Sequence, residues 1–149
     1  MLKIKSPNKV QKINRTDIFS KRKRSEIMSH VRSKESKIEK RIGKILWAQG
    51  LRYRKNVRSM FGNPDFVMKK HKIAVFVDSC FWHGCKKHGS YPKTNRSFWA
   101  RKIFRNKERD LEVNRHYRKT KWKVLRIWEH EIKRNPDFTI KKIIKFLEK

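Results

Sequence analysis

The stretch FVDSCFWHGCKKH, Phe76 to His88, ends an apolar run with an acid and then presents two cysteines, two histidines and two adjacent aromatic residues. Just upstream, Ile73, Ala74, Val75, Phe76 and Val77 make the short continuous apolar run of a buried strand, with Asp78 at its end. Earlier still, Asn63-Pro64-Asp65-Phe66-Val67 joins a turn signal to an acid that opens a second strand-prone run. Asp65 and Asp78 are therefore expected at neighbouring strand ends. Hard oxygen ligands in that position suit Mg²⁺, which stabilises charge developing on a phosphodiester. The competing reading is that each acid caps a turn.

The chain around this stretch has 149 residues, enough for one domain with a modest core. Lys and Arg total 43 against 13 Asp and Glu, a formal charge of +30. Hydrophobic residues at 36% and aromatics at 11% exclude a wholly disordered basic tail. A folded domain with this excess binds a polyanion, and nucleic acid leads because neutralising phosphates releases counterions. No stretch approaches the ~20 apolar residues of a spanning helix, and the opening MLKIKSPNKVQK lacks an apolar signal core. The expectation is a cytosolic, nucleoid-associated protein with reduced thiols and no membrane partner.

In chain order, residues 1–19 read as a flexible basic arm and 20–149 as the folded domain. Ser20 to Arg32 suggests a short helix with Ile27, Met28 and Val31 as its apolar side. Ser36 with Glu39 forms a capping-box pattern for a firmer helix carrying Ile38, Ile42, Ile45 and Leu46, ended by Gly50. Leu51 to Val57 reads as a strand before the turn at Phe61 to Pro64. Lys86 to Arg96 is expected to be a loop, and Ser97 the cap of a helix to about Arg118. Trp99, Lys102, Asn106, Arg109 and Asp110 share roughly one face of that helix, with Ile103 and Leu111 as its core side. Lys121 to Trp128 is the last strand. Asn135-Pro136-Asp137 then starts a terminal helix marked by Ile140, Ile143, Ile144 and Leu147. Together these elements predict a single-domain α/β fold, a mixed central sheet flanked by helices.

Cys80, Cys85 and His88 form C-x4-C-x2-H, three metal donors converging from one loop. His130 is the expected fourth, because its strand can lie beside the Ile73 to Asp78 strand and end at the same edge. Two Cys and two His would make a closed, structural zinc site. The alternatives are a disulfide between the cysteines, disfavoured in a reducing compartment, and two unconnected thiols beside incidental histidines.

These residues, with Pro64-Asp65-Phe66, Phe98-Trp99, the N-x2-RD of Asn106 to Asp110 and the VLRIWEHE of Val124 to Glu131, resemble the very short patch repair (Vsr) DNA mismatch endonucleases. The similarity runs from about Lys21 to Ile132. It implies a restriction-endonuclease-like core with a structural zinc, and Mg²⁺-dependent nicking of one strand beside a T:G mismatch left by 5-methylcytosine deamination. By the resemblance Asp65 binds Mg²⁺, with the Val77 backbone carbonyl and Asp78 as further ligands. His83 matches the general base and Asp110 the acid that orients it, a pairing in which a carboxylate fixes the tautomer of a near-neutral imidazole. The acid-x-Lys pair of the wider nuclease superfamily is missing, because Ser79 and Cys80 follow Asp78. Phe81, Trp82 and Trp99 match an aromatic wedge between base steps, and Met28 a wedge from the other groove. Lys102 and Asn106 are candidate mismatch contacts, and Glu39 matches an acidic helix position. The resemblance further implies a monomer acting on double-stranded DNA, linked functionally to a cytosine-5 DNA methyltransferase and to mismatch-repair proteins. The rival readings are a restriction-like endonuclease on undamaged DNA and a non-catalytic, zinc-stabilised nucleic-acid-binding module.

Overall fold

A computed structural model describes residues 19–30 and 37–148, and the chain divides into two compact units, Met1–His30 and Val31–Lys149. The expected basic arm, apart from Phe19, lies outside the described residues, as do Val31 and the expected cap Ser36. In the first unit, helix α1 (Lys21–Ser29) is capped by Ser20, whose hydroxyl accepts the Lys23 N–H at 3.2 Å. None of its residues is buried, and Ile27 and Met28 are 42% and 40% exposed.

The second unit opens with α2 (Lys37–Ala48), which buries Ile42 and Leu46 one turn apart. Gly50, at φ +74°, turns the chain so that the Leu51 N–H returns to the Leu46 carbonyl. Strands β1 (Arg54–Lys55), β2 (Phe66–Met68), β3 (Ile73–Asp78) and β4 (Lys123–Trp128) then form one four-stranded sheet in that order. β2 is antiparallel to both β1 and β3, while β4 is parallel to β3. The mixed sheet is as expected, but the first strand is cut to two residues. Its one partner among the described residues, β2, is itself three residues long, and Asn56 leaves the extended region at φ +47°.

Successive β3 side chains point to opposite faces. Ile73 and Val75 join Ile42, Leu46, Phe66, Met68, Leu125 and Ile127 in the larger core, closed by Ile132 of α4 (Glu129–Arg134) and Ile143 of α5 (Pro136–Leu147). Ala74 and Phe76 face Val113 and Tyr117 of α3 (Arg96–Lys119) on the other side. Parallel β3 and β4 require a crossover, and α3 supplies it. That helix starts one residue after Asn95, not at Ser97, because Asn95 takes the left-handed φ of +58° that ends the preceding loop. Leu111 is 55% exposed; the face on the sheet is Ile103, Asn106, Asp110, Val113 and Tyr117, at alternating spacings of three and four. Two polar residues thus sit inside an otherwise apolar seam. α5 begins as its sequence suggests, with Pro136 in the first turn and the Asn135 side chain accepting the Phe138 N–H at 3.0 Å. No helix among the described residues is long and apolar enough to cross a membrane.

Candidate active site and metal centre

Parallel pairing sets Asp78 opposite Trp128, so the segments that follow β3 and β4 leave from one edge of the sheet. The segment before β2 reaches the same edge. The Asp65 N–H donates to the Val75 carbonyl at 3.0 Å, and its carboxylate accepts the Val77 N–H at 2.7 Å. Asp65 is therefore latched to β3 one residue before Asp78. Burial, reinforced by the charges of Glu39 and Asp78, pushes the Asp65 carboxyl up to about 6, against the Val77 N–H and His83, which favour the anion. Glu39 is itself buried in the first turn of α2. A carboxylate whose charge is opposed by burial and by two neighbouring acids is a position that a bound cation would favour.

A second constellation adjoins the first. Asp78, His83 and Asp110 offer ligand atoms that all lie within 4.8 Å of one another. His83 Nδ1 lies 2.7 Å from Asp110 Oδ2 and 3.7 Å from Asp78 Oδ1. Since an ionised carboxylate only accepts, Nδ1 carries the proton, and in the neutral ring Nε2 keeps its lone pair. Burial alone would depress the His83 pKa. The Asp110 hydrogen bond and the charges of Asp78 and Asp110 outweigh it and leave the pKa raised, while Arg126 pulls the other way. Arg126 Nη1 donates to both oxygens of Asp78 at 2.7 and 2.9 Å, and Nη2 lies 3.0 Å from Asp110 Oδ1.

The loop carrying His83 approaches α3 closely at Gly84. This residue has φ +57°, and a Cβ there would come within 2.6 Å of Lys107 Cε and 2.8 Å of Ile103 Cγ2. Only glycine meets both conditions. One turn along α3, the Asn106 amide donates to the Trp82 carbonyl at 2.8 Å, so the seam polar groups hold this loop from both sides. Phe81, Trp82 and Trp99 form a mutual cluster with ring centroids 4.9 to 5.7 Å apart, and each is half-buried, leaving part of its face to solvent. Lys102 and Arg109, expected on the same helix face, point outward beside the seam.

Cys80, Cys85, His88 and His130 also meet, with donor atoms all within 4.8 Å of one another. Nδ1 of His130 lies 3.2 Å from Cys80 Sγ and 3.7 Å from Cys85 Sγ, and His88 Nδ1 lies 3.9 Å from Cys85 Sγ. Zinc–ligand bonds of about 2.0–2.3 Å set tetrahedral edges of about 3.3–3.8 Å, so the donor set fits that geometry. The cysteines are free thiols. His130 reaches the site from the first turn of α4, a helix the sequence reading did not anticipate.

Sequence reasoning missed three participants. Arg126 lies inside the VLRIWEHE motif but was given no role there, one cation among 43 basic residues, although its place opposite Phe76 in the β4 ladder singles it out. Glu129 accepts the Cys80 N–H at 3.3 Å, and the Lys133 ammonium beside it holds its carboxyl below the usual range. Phe98, 46% exposed, packs edge-on against Trp99. Met28 belongs to the other unit.

Residues 16–88 match the family of DNA mismatch endonuclease Vsr. Relatives include the type II nicking enzyme V.NmeAIP of Neisseria meningitidis, 46% identical over 79% of this chain and 85% of its own length. The type II nicking enzyme V.NaeI of Lentzea aerocolonigenes is 42% identical over 72% of this chain and 68% of its own. The DNA mismatch endonuclease Vsr of Escherichia coli is 33% identical over 89% and 85%.

Proposed function

Because the chain belongs to the DNA mismatch endonuclease Vsr family and is a DNA endonuclease, we propose that it nicks one strand of duplex DNA beside a T:G mismatch. The lesion arises by 5-methylcytosine deamination, and the nick starts very short patch repair. The observation that carries this reading is the 2.7 Å bond between His83 and Asp110 beside the latched Asp65. A proton acceptor and a cluster of acids then share one sheet edge.

Asp65, the Val77 carbonyl and Asp78 would hold Mg²⁺, and each Asp78 oxygen keeps a second lone pair beyond its bond to Arg126. Bound there, the cation supplies charge stabilisation at the phosphodiester. His83 takes the proton of the attacking water at Nε2, and Asp110 holds the ring in the tautomer that leaves Nε2 bare. Glu39 adds to the negative field at Asp65. The Cys80, Cys85, His88 and His130 set holds zinc and pins the loop that bears His83. Phe81, Trp82 and Trp99 wedge between base steps, with Met28 of α1 as the second wedge. Unstacking costs least where pairing is already imperfect, so the wedge itself discriminates. Lys102 and Asn106 contact the mismatched pair. The core is restriction-endonuclease-like, residues 1–19 act as a basic arm, and the protein works as a cytosolic, nucleoid-associated monomer beside a cytosine-5 methyltransferase and mismatch-repair proteins.

The test is His83→Ala measured for both nicking and duplex binding. Nicking should fall by about 10²–10⁴ with binding retained. In the unsubstituted chain the rate should fall as pH drops through a midpoint above the ordinary histidine value, because the raised His83 pKa protonates the base early. Full nicking by His83→Ala would remove the base assignment.

A further inference from the structure

Arg126 stands in the middle of β4, opposite Phe76, and its guanidinium carbon lies 4.9 Å from the centre of the Phe76 ring. Every nitrogen of the fork has a partner. Nη1 bonds both oxygens of Asp78, Nη2 meets Asp110 Oδ1, and Nε donates to Asn114 Oδ1 at 3.2 Å. Only 18% of the side chain is exposed. A rigid planar fork engaged on three acceptors fixes their relative positions, which a flexible point charge would not.

The division of labour on Asp110 is what matters for chemistry. Arg126 forms an ion pair with Oδ1 while Oδ2 accepts from His83 Nδ1, so the carboxylate cannot rotate without giving up the ion pair or the hydrogen bond. The single positive charge of the same guanidinium offsets part of the repulsion between Asp78 and Asp110 beside the histidine. With each nitrogen of its fork engaged by a protein side chain and only 18% of the side chain exposed, Arg126 is committed to the site and not presented to a DNA phosphate. We propose that Arg126 is a positioning residue of the nicking reaction: it locks Asp110 so that His83 aims Nε2 at the water, and sets Asp78 beside Asp65. This rests on the assignment of His83 as the base.

The experiment uses the full chain and the duplex that it nicks, comparing Arg126→Ala and Arg126→Lys for kcat, KM and thermal midpoint. Guanidinium ion at millimolar concentration is then added, with sodium chloride of equal ionic strength as the control. A cavity of about 380 Å³ lined by Asn114, Arg118, Trp122, Val124 and Arg126 gives the ion a way in. Arg126→Ala should lose about 10–100-fold in kcat with KM little changed, as outer-layer hydrogen-bonding partners of a site do. Guanidinium should restore part of that loss, and Arg126→Lys, which keeps charge without the fork, should fall between. An unchanged kcat overturns the proposal. So does a raised KM at constant kcat, which would make Arg126 a DNA contact. A lowered thermal midpoint with a loss that guanidinium does not mend also overturns it, by making the residue purely structural. If His83→Ala nicks normally, the base assignment fails first, and Arg126 loses its role with it.

Discussion

At the scale of single residues, the site holds its acids under electrostatic stress. Asp65 is half-buried near Glu39 and Asp78, and its folded pKa of about 6 stands above the unfolded value near 4. A raised folded pKa contributes stability that is fully present below the unfolded value and is lost as pH rises through about 6. Near neutral pH the ionised group therefore costs stability, up to about 3 kcal/mol for a shift of this size. Asp65→Asn keeps an oxygen for the Val77 N–H and removes the charge. Without added metal it should unfold at a higher denaturant concentration than the unsubstituted chain at pH 7.5, the gap closing near pH 4, while nicking is abolished. Equal stability of the two chains at pH 7.5 would show that the acids do not repel. If Asp65 holds the proposed Mg²⁺, the site would trade stability for metal affinity, as functional sites commonly do.

At the scale of elements, one loop carries two tasks. Between Cys80 and His88 lie three donors of the candidate metal centre together with His83, Phe81 and Trp82, so a metal held there would also place the proposed base and the proposed wedge. Cys85→Ser should lower zinc content and thermal midpoint together, and excess Mg²⁺ should not restore its nicking; full zinc occupancy and an unshifted midpoint would detach the loop from the metal. Much of this region was legible in the sequence. The Ile73 to Asp78 strand, the C-x4-C-x2-H spacing and the Asn135-Pro136 helix start are local patterns, and each appears in the fold where it was expected. What was not legible depends on neighbours distant in sequence. The Leu51 to Val57 strand shrank because β2 offers it only two partners. On α3, Leu111 and Val113 are equally apolar, and only docking against Ala74 and Phe76 decides that Val113 is buried. Arg126 reads as one more surface cation until the parallel ladder sets it opposite Phe76, within reach of Asp78 and Asp110.

At the scale of the whole molecule, a charge of +30 supplies attraction to any nucleic acid, so charge alone cannot explain selection of a lesion. Under the proposed function, selection would come from the aromatic cluster, the α3 face beside it and the cost of opening a base step. The central claim is mismatch-dependent nicking, and its most direct test compares end-labelled duplexes that differ only in one T:G or C:G pair, each with Mg²⁺ or with EDTA. The expected result is a nick in one strand of the T:G duplex alone, and only with Mg²⁺. Equal cutting of both duplexes would contradict it in favour of a restriction-like enzyme, and tight binding without any cutting would contradict it in favour of a binding module.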